Sequence, residues 1–162
     1  MENFTHSKRR VFVVSTSSQM SLVGTWELVS REDVSADGRC CLEPNLGSDP
    51  VAYLMYDATG HFAVQFMRRD RKIAQADAQR RANGSTNNSG AINGYDAYFG
   101  RYSVDTDGTV TQELLGALSP ADVGKVVTRQ FQINGAELVI ALETTSVGGE
   151  PVTRTLRWRR LA

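Results

Sequence analysis

A guanidinium at Arg129 between Val127 and Phe131, two tyrosines at Tyr98 and Tyr102, and an amide at Gln112 are the side chains best equipped to handle a small molecule. In extended chain, side chains two apart share a face, so Tyr98 and Tyr102 present both hydroxyls to one side. Arg129 falls on the apolar face of its own run, and a charge taken out of water there needs a partner. It is either half of a core ion pair or the anchor of an anionic or carbonyl-bearing ligand. Arg68 follows Phe62, Val64 and Phe66 on one face. The chemistry available to Arg129, Gln112, Tyr98, Tyr102, Phe66 and Arg68 is hydrogen-bond donation inside an apolar pocket. Such a pocket can orient a ligand, or fold a reactive substrate and polarise its carbonyl.

Stronger catalytic apparatus is missing. His6 and His61 are the only histidines, and no Gly-x-Ser-x-Gly elbow accompanies them. The two cysteines, Cys40 and Cys41, are adjacent, which suits neither a structural disulfide nor a metal site. No glycine-rich phosphate loop joins a strand to a helix, and alternation turns no pair of carboxylates inward. No metal and no cofactor is therefore expected. Two functions from different classes remain: a module that binds a small apolar or amphipathic molecule, and a cofactor-free isomerase or cyclase acting on a natural-product intermediate in the same cavity. A filled barrel that only mediates protein contacts is the third.

The chain has 162 residues, 41% of them hydrophobic, enough for one domain with a buried core. Eighteen basic residues balance eighteen acidic ones, leaving no excess of positive charge for nucleic acid or an anionic membrane. A homodimer is left open. The apolar run Val11–Val14 after Lys8-Arg9-Arg10 is too short for the core of an export signal, and the expected location is cytoplasmic. Residues 1–20 read as a disordered extension, with Met1 and Met20 as alternative starts, and 21–162 as the folded domain.

Positioning falls to short strands. Runs at Leu22–Glu32, Arg39–Glu43 (weak), Val51–Tyr56, His61–Arg69, Tyr98–Asp105, Thr109–Ala117, Val126–Ile133, Glu137–Glu143 and Val152–Leu161 are separated by glycine-bearing turns such as Thr59-Gly60, Asp107-Gly108 and Asn134-Gly135. Eight or nine such strands in meander order predict an all-β fold, a closed or nearly closed antiparallel up-and-down barrel. Its interior is side-chain-filled or wide enough for one small ligand. Alternation places Leu22, Gly24, Trp26 and Leu28 inward on the first strand, and Val110, Gln112, Leu114 and Gly116 on the run Thr109–Ala117. Asp70–Arg81 reads as one short helix and 83–94 as a flexible loop, a lid candidate.

These stretches resemble the lipocalin-like domain family of small bacterial and fungal β-barrel proteins. The resemblance is carried by Leu22 to Ser30 with Gly24-Thr25-Trp26, by Tyr53 to Tyr56 with Gly60, and by Arg68 to Arg71. It continues through Tyr98 to Tyr102, Val110-Thr111, Gly124 with Arg129-Gln130-Phe131, and Leu156 to Arg160. It spans about residues 21 to 161 in order. It implies a barrel whose floor is built by Gly24 and Trp26, with Arg160 packed over the tryptophan. Gln112 stands where a histidine often follows the Val-Thr pair of the family, so proton chemistry by that histidine is not expected here.

Overall fold

The computed structural model describes residues 21–41, 43–71, 91–146 and 148–162. Eight antiparallel strands close into a barrel in sequence order: β1 Gly24–Ser35, β2 Val51–Tyr56, β3 His61–Met67, β4 Tyr95–Val104, β5 Thr109–Ala117, β6 Val126–Asn134, β7 Glu137–Thr145 and β8 Pro151–Arg160. The meander read from the sequence is the observed topology. Each strand alternates because one face meets the barrel interior and the other meets water. β3 is the plainest case, with Phe62, Val64 and Phe66 buried between outward His61, Ala63 and Gln65. The weak strand at Arg39–Glu43 does not form; a single bridge, Val34↔Cys40, is all that pairs there. The predicted extension at 1–20 lies outside the described residues, as do most of the helix expected at Asp70–Arg81 and of the loop at 83–94.

Two bulges decide which residues face in. β1 changes register against β8 between Leu28 and Ser30. An extra residue shifts every later side chain to the opposite face. Trp26 and Leu28 therefore point inward, Val29 is thrown out, and Arg31, Asp33 and Ser35 turn in and are buried. The second bulge lies where Phe99↔Gly116 is followed by Gly100↔Leu114, leaving Leu115 as the extra residue on β5. That corrects the inward placement of Gly116. It sits on the outer face, where a Cβ would meet the Phe99 ring.

The barrel floor forms where β1 begins and β8 ends. Trp26, fully buried, donates its Nε1–H to the Leu22 carbonyl at 2.9 Å. The Arg160 guanidinium lies over the indole, 4.1 Å from its centroid, and donates to the Val23 and Ser21 carbonyls at 2.6 and 2.5 Å. Gly24 has φ +145°, and a Cβ there would run into Arg160 Nη1 at 2.7 Å, so glycine is needed on both counts.

The Gly100 bulge allows the sharpest test of this packing. A methyl at Gly100 would collide with the Glu113 carbonyl, 2.9 Å from its carbon and 3.0 Å from the Leu115 nitrogen, all backbone that cannot swing aside. Gly100→Ala is expected to cost about 3 kcal/mol or more, the upper range of overpacking. Gly124→Ala, at φ +85° with nothing within 4 Å, should cost only about 1 kcal/mol. Urea midpoints of the two variants check the order; equal losses would contradict the bulge geometry.

Candidate functional site

The inward side chains differ in how completely they are covered. On β3, β7 and β8 the inward apolar side chains are buried throughout. Besides Arg160 at the floor and Thr144 on β7, the inward residues that stay half-buried include Leu28 on β1, Tyr98 on β4, and Val127, Arg129 and Ile133 on β6. Three of these less covered side chains lie on β6.

β6 occupies an unusual place in the sheet. It pairs with β5 through Val126–Gln130 and with β7 only through Gln130–Asn134. The β6–β7 ladder stops at Gln130↔Ala141, so Val127 and Arg129 stand beside a stretch of β7, Leu142–Thr145, that is bonded to β8 alone. Arg129 sits at the first position past the break. Its Nη1–H donates to the Thr128 carbonyl at 3.0 Å, and the guanidinium faces the Tyr98 hydroxyl. No carboxylate lies within ion-pair distance of it among the described residues. Burial lowers its pKa, with the Tyr98 and Tyr56 hydroxyls opposing that shift and the Arg154 charge adding to it.

The remaining sequence-predicted residues fall in three places. Gln112, buried, donates from Nε2 to the Tyr56 hydroxyl at 2.8 Å. Tyr102 donates its hydroxyl to the Asp57 carbonyl in the β2–β3 turn at 2.7 Å, and its ring meets Tyr56 edge-on at 4.7 Å. Tyr98 joins the same wall through Phe62, 6.1 Å away, which in turn lies 6.1 Å from Tyr56. Phe66 packs against Trp158 at 5.8 Å on the far side of the interior. Arg68 is not in this interior: it lies beyond the end of β3 and donates from Nη1 to the Pro44 carbonyl at 3.1 Å, tying down the β1–β2 connection. That corrects its placement on the inward face of Phe62, Val64 and Phe66. The structure thus brings together Arg129, Tyr98, Gln112 and, through Tyr56, Tyr102.

A buried charge cluster escaped the sequence reading. Arg154, 2% exposed, grips Asp33 through two hydrogen bonds, Nε to Oδ1 at 2.7 Å and Nη2 to Oδ2 at 2.6 Å. Arg31 lies 3.4 Å from Glu43 and 3.8 Å from Asp33, while its Nε and Nη2 make no hydrogen bond. Glu43 also accepts the Asn45 and Leu46 amides at 3.2 and 2.7 Å. Asp96, on β4, is the third buried carboxylate among the described residues, and with Asp33 it corrects the expectation that alternation turns no pair of carboxylates inward. Arg154 was legible by alternation; Arg31 and Asp33 were hidden by the bulge. Among the described residues no group of three or more His, Cys, Asp or Glu side chains is placed to hold a metal ion.

The sequence matches the profile of a family described as a lipocalin-like domain over residues 23–161. Among solved structures the chain is similar to a complex of bovine odorant binding protein with a selenium-containing odorant. That pair shares 12% identity over 96% of this chain and 78% of that one, with a TM-score of 0.44. It is also similar to Rv2717c from M. tuberculosis, at 14% identity over 90% and 98% of the two chains and a TM-score of 0.37. No curated protein matches the sequence.

Two measurements check the electrostatics. Asp33→Asn removes the charge that neutralises Arg154 and is expected to cost about 3–5 kcal/mol, whereas Asp33→Leu with Arg154→Met should recover most of that loss. Thermal or urea unfolding of the three proteins decides it. The second measurement uses the tyrosines. Burial raises the Tyr56 pKa, and it pushes the Tyr98 hydroxyl up to about 12 against the opposing Arg129 charge. Both phenols keep their protons in the folded chain where unfolded tyrosine, with a pKa near 10, gives its proton up. Their stabilising effect is complete below about pH 10 and is lost as pH rises toward 12. Urea midpoints followed across that window should fall, and Tyr98→Phe should flatten the slope; an unchanged slope would show that Tyr98 is not held protonated by its surroundings.

Proposed function

The chain belongs to the lipocalin-like domain family, and on that premise we propose that it binds a small amphipathic molecule inside the barrel, against β6. The observation that carries this reading is the set of inward side chains left half-buried, Leu28, Tyr98, Val127, Arg129 and Ile133. A barrel of eight strands fills with side chains or leaves space for one small ligand. Here three of the incompletely covered inward residues lie on β6, and the set includes both apolar side chains and donors. An apolar wall with a few converging polar groups is the usual composition of a ligand pocket. Arg129 and Tyr98 would fix the polar end, while Val127, Ile133 and Leu28 would cover the apolar part. The floor, with Trp26 sealed under Arg160, is then a structural closure rather than a contact surface.

Catalysis in the same cavity is the second reading, favoured by one observation only. A tyrosine held protonated beside a guanidinium is a donor pair suited to polarising a carbonyl. We place the protein in the cytoplasm, a setting compatible with the unpaired thiols of Cys40 and Cys41.

Binding is checked with 8-anilinonaphthalene-1-sulfonate, an amphipathic dye that fluoresces in apolar pockets. One dye per chain is expected, and Val127→Trp, which fills the space beside Arg129, should abolish the signal with little change in Tm. Dye fluorescence that ignores Val127→Trp, or none at all, would remove the pocket from β6.

A further inference from the structure

Four arginines point to the inward side of this barrel, and they differ in what neutralises them. Arg154 is matched by Asp33 in a two-bond pair, and Arg31 lies 3.4 Å from Glu43. Arg160 stacks on Trp26 and gives its protons to the Val23 and Ser21 carbonyls at the floor. Arg129 alone stands half-buried on the inward face of β6 with no carboxylate within ion-pair distance among the described residues. Asp96, the remaining buried acid among the described residues, acts on Tyr98 and has an interaction of its own.

An uncompensated guanidinium inside a barrel is costly, and the Arg154 charge acting on Arg129 increases that cost. A neutral ligand would leave Arg129 without a countercharge at contact distance. A ligand with one negative charge would supply it. The fork of a guanidinium matches the two oxygens of a carboxylate, and a tyrosine that keeps its proton donates to either oxygen. We infer that the ligand of this barrel is an amphipathic carboxylic acid, bound as its anion with both oxygens against Arg129 and Tyr98 and its apolar part along Val127, Ile133 and Leu28. This rests on the proposal of a β6 pocket and adds the charge class of its occupant.

The test compares two probes of equal chain length, dodecanoate and dodecanol, by calorimetry on the full chain. Dodecanoate should bind about ten- to a hundredfold more tightly, the range expected for hydrogen bonds to a charged group. Arg129→Gln should bring dodecanoate down to the affinity of dodecanol while leaving dodecanol unchanged, and Arg129→Lys should restore part of the preference. In the wild-type protein the Arg129 Nε–H resonance should shift with dodecanoate and stay in place with dodecanol, a readout that does not depend on any variant folding. Equal affinity for the two probes would overturn the carboxylate assignment and leave the pocket intact. A preference that survives Arg129→Gln would overturn it too, moving the head group to another cation. Failure of both probes to bind would instead sink the β6 pocket itself.

Discussion

Closure of the β1–β8 seam is the constraint on which everything else in this barrel depends. The two strands come from opposite ends of the folded chain, and the ion pair across them joins Asp33 to Arg154, 121 residues apart. Bringing such distant segments together carries a loop-closure cost that local hairpins avoid. The seam answers it with a ladder of nine paired positions from Trp26↔Arg160 to Ser35↔Val152, as long as that between β7 and β8. Its two ends are also the two most specific interactions in the molecule: a cation over an indole at the floor, and a doubly bonded buried carboxylate near the other end. Neither residue set does its work unless both strands are present. The barrel interior exists only once they have met.

The polar side chains of the interior then sort by how completely the fold uses them. Tyr102 is committed to the carbonyl of the β2–β3 turn, and Gln112 to Tyr56, so both lock the aromatic wall of β2, β3 and β4 into one arrangement. Arg68 anchors the connection that leads into β2. These are polar groups that make the wall stiff. Arg129 and Tyr98 are different because they meet each other while only half-buried, and their protein contacts leave guanidinium donors to spare. A rigid wall facing an adaptable pair is the arrangement that lets a pocket keep its shape while its occupant changes.

Much of this was legible from residue order alone. Strand number, order and antiparallel pairing followed from apolar alternation punctuated by turn glycines, because hairpin chemistry is local. The inward face of β6, including Arg129, followed from the same rule. What failed failed at the bulges. Nothing about Val29 and Ser30 as residue types announces an inserted position, yet that one residue turns Arg31 and Asp33 from solvent into the core. The Gly100 and Gly116 pair carried a signal for the second bulge, since each permits a close backbone or ring approach that a side chain would block. Arg68 was misplaced for a simpler reason: β3 ends at Met67, and alternation says nothing past the last ladder bond.

The seam and the pocket are linked through charge. Arg154 acts on both Arg31 and Arg129, lowering the pKa of each. Left unpaired, it would oppose any cation placed along β6. The Asp33 carboxylate, turned inward by the β1 bulge, removes most of that opposition by holding Arg154 at 2.6 and 2.7 Å. Arg129 can then remain charged on the inward face of β6. An insertion at Val29, on the far side of the sheet order from β6, thereby sets the electrostatics of the candidate site. The same extra residue that lets β1 follow β8 around the barrel supplies the countercharge that makes a lone guanidinium tolerable inside it.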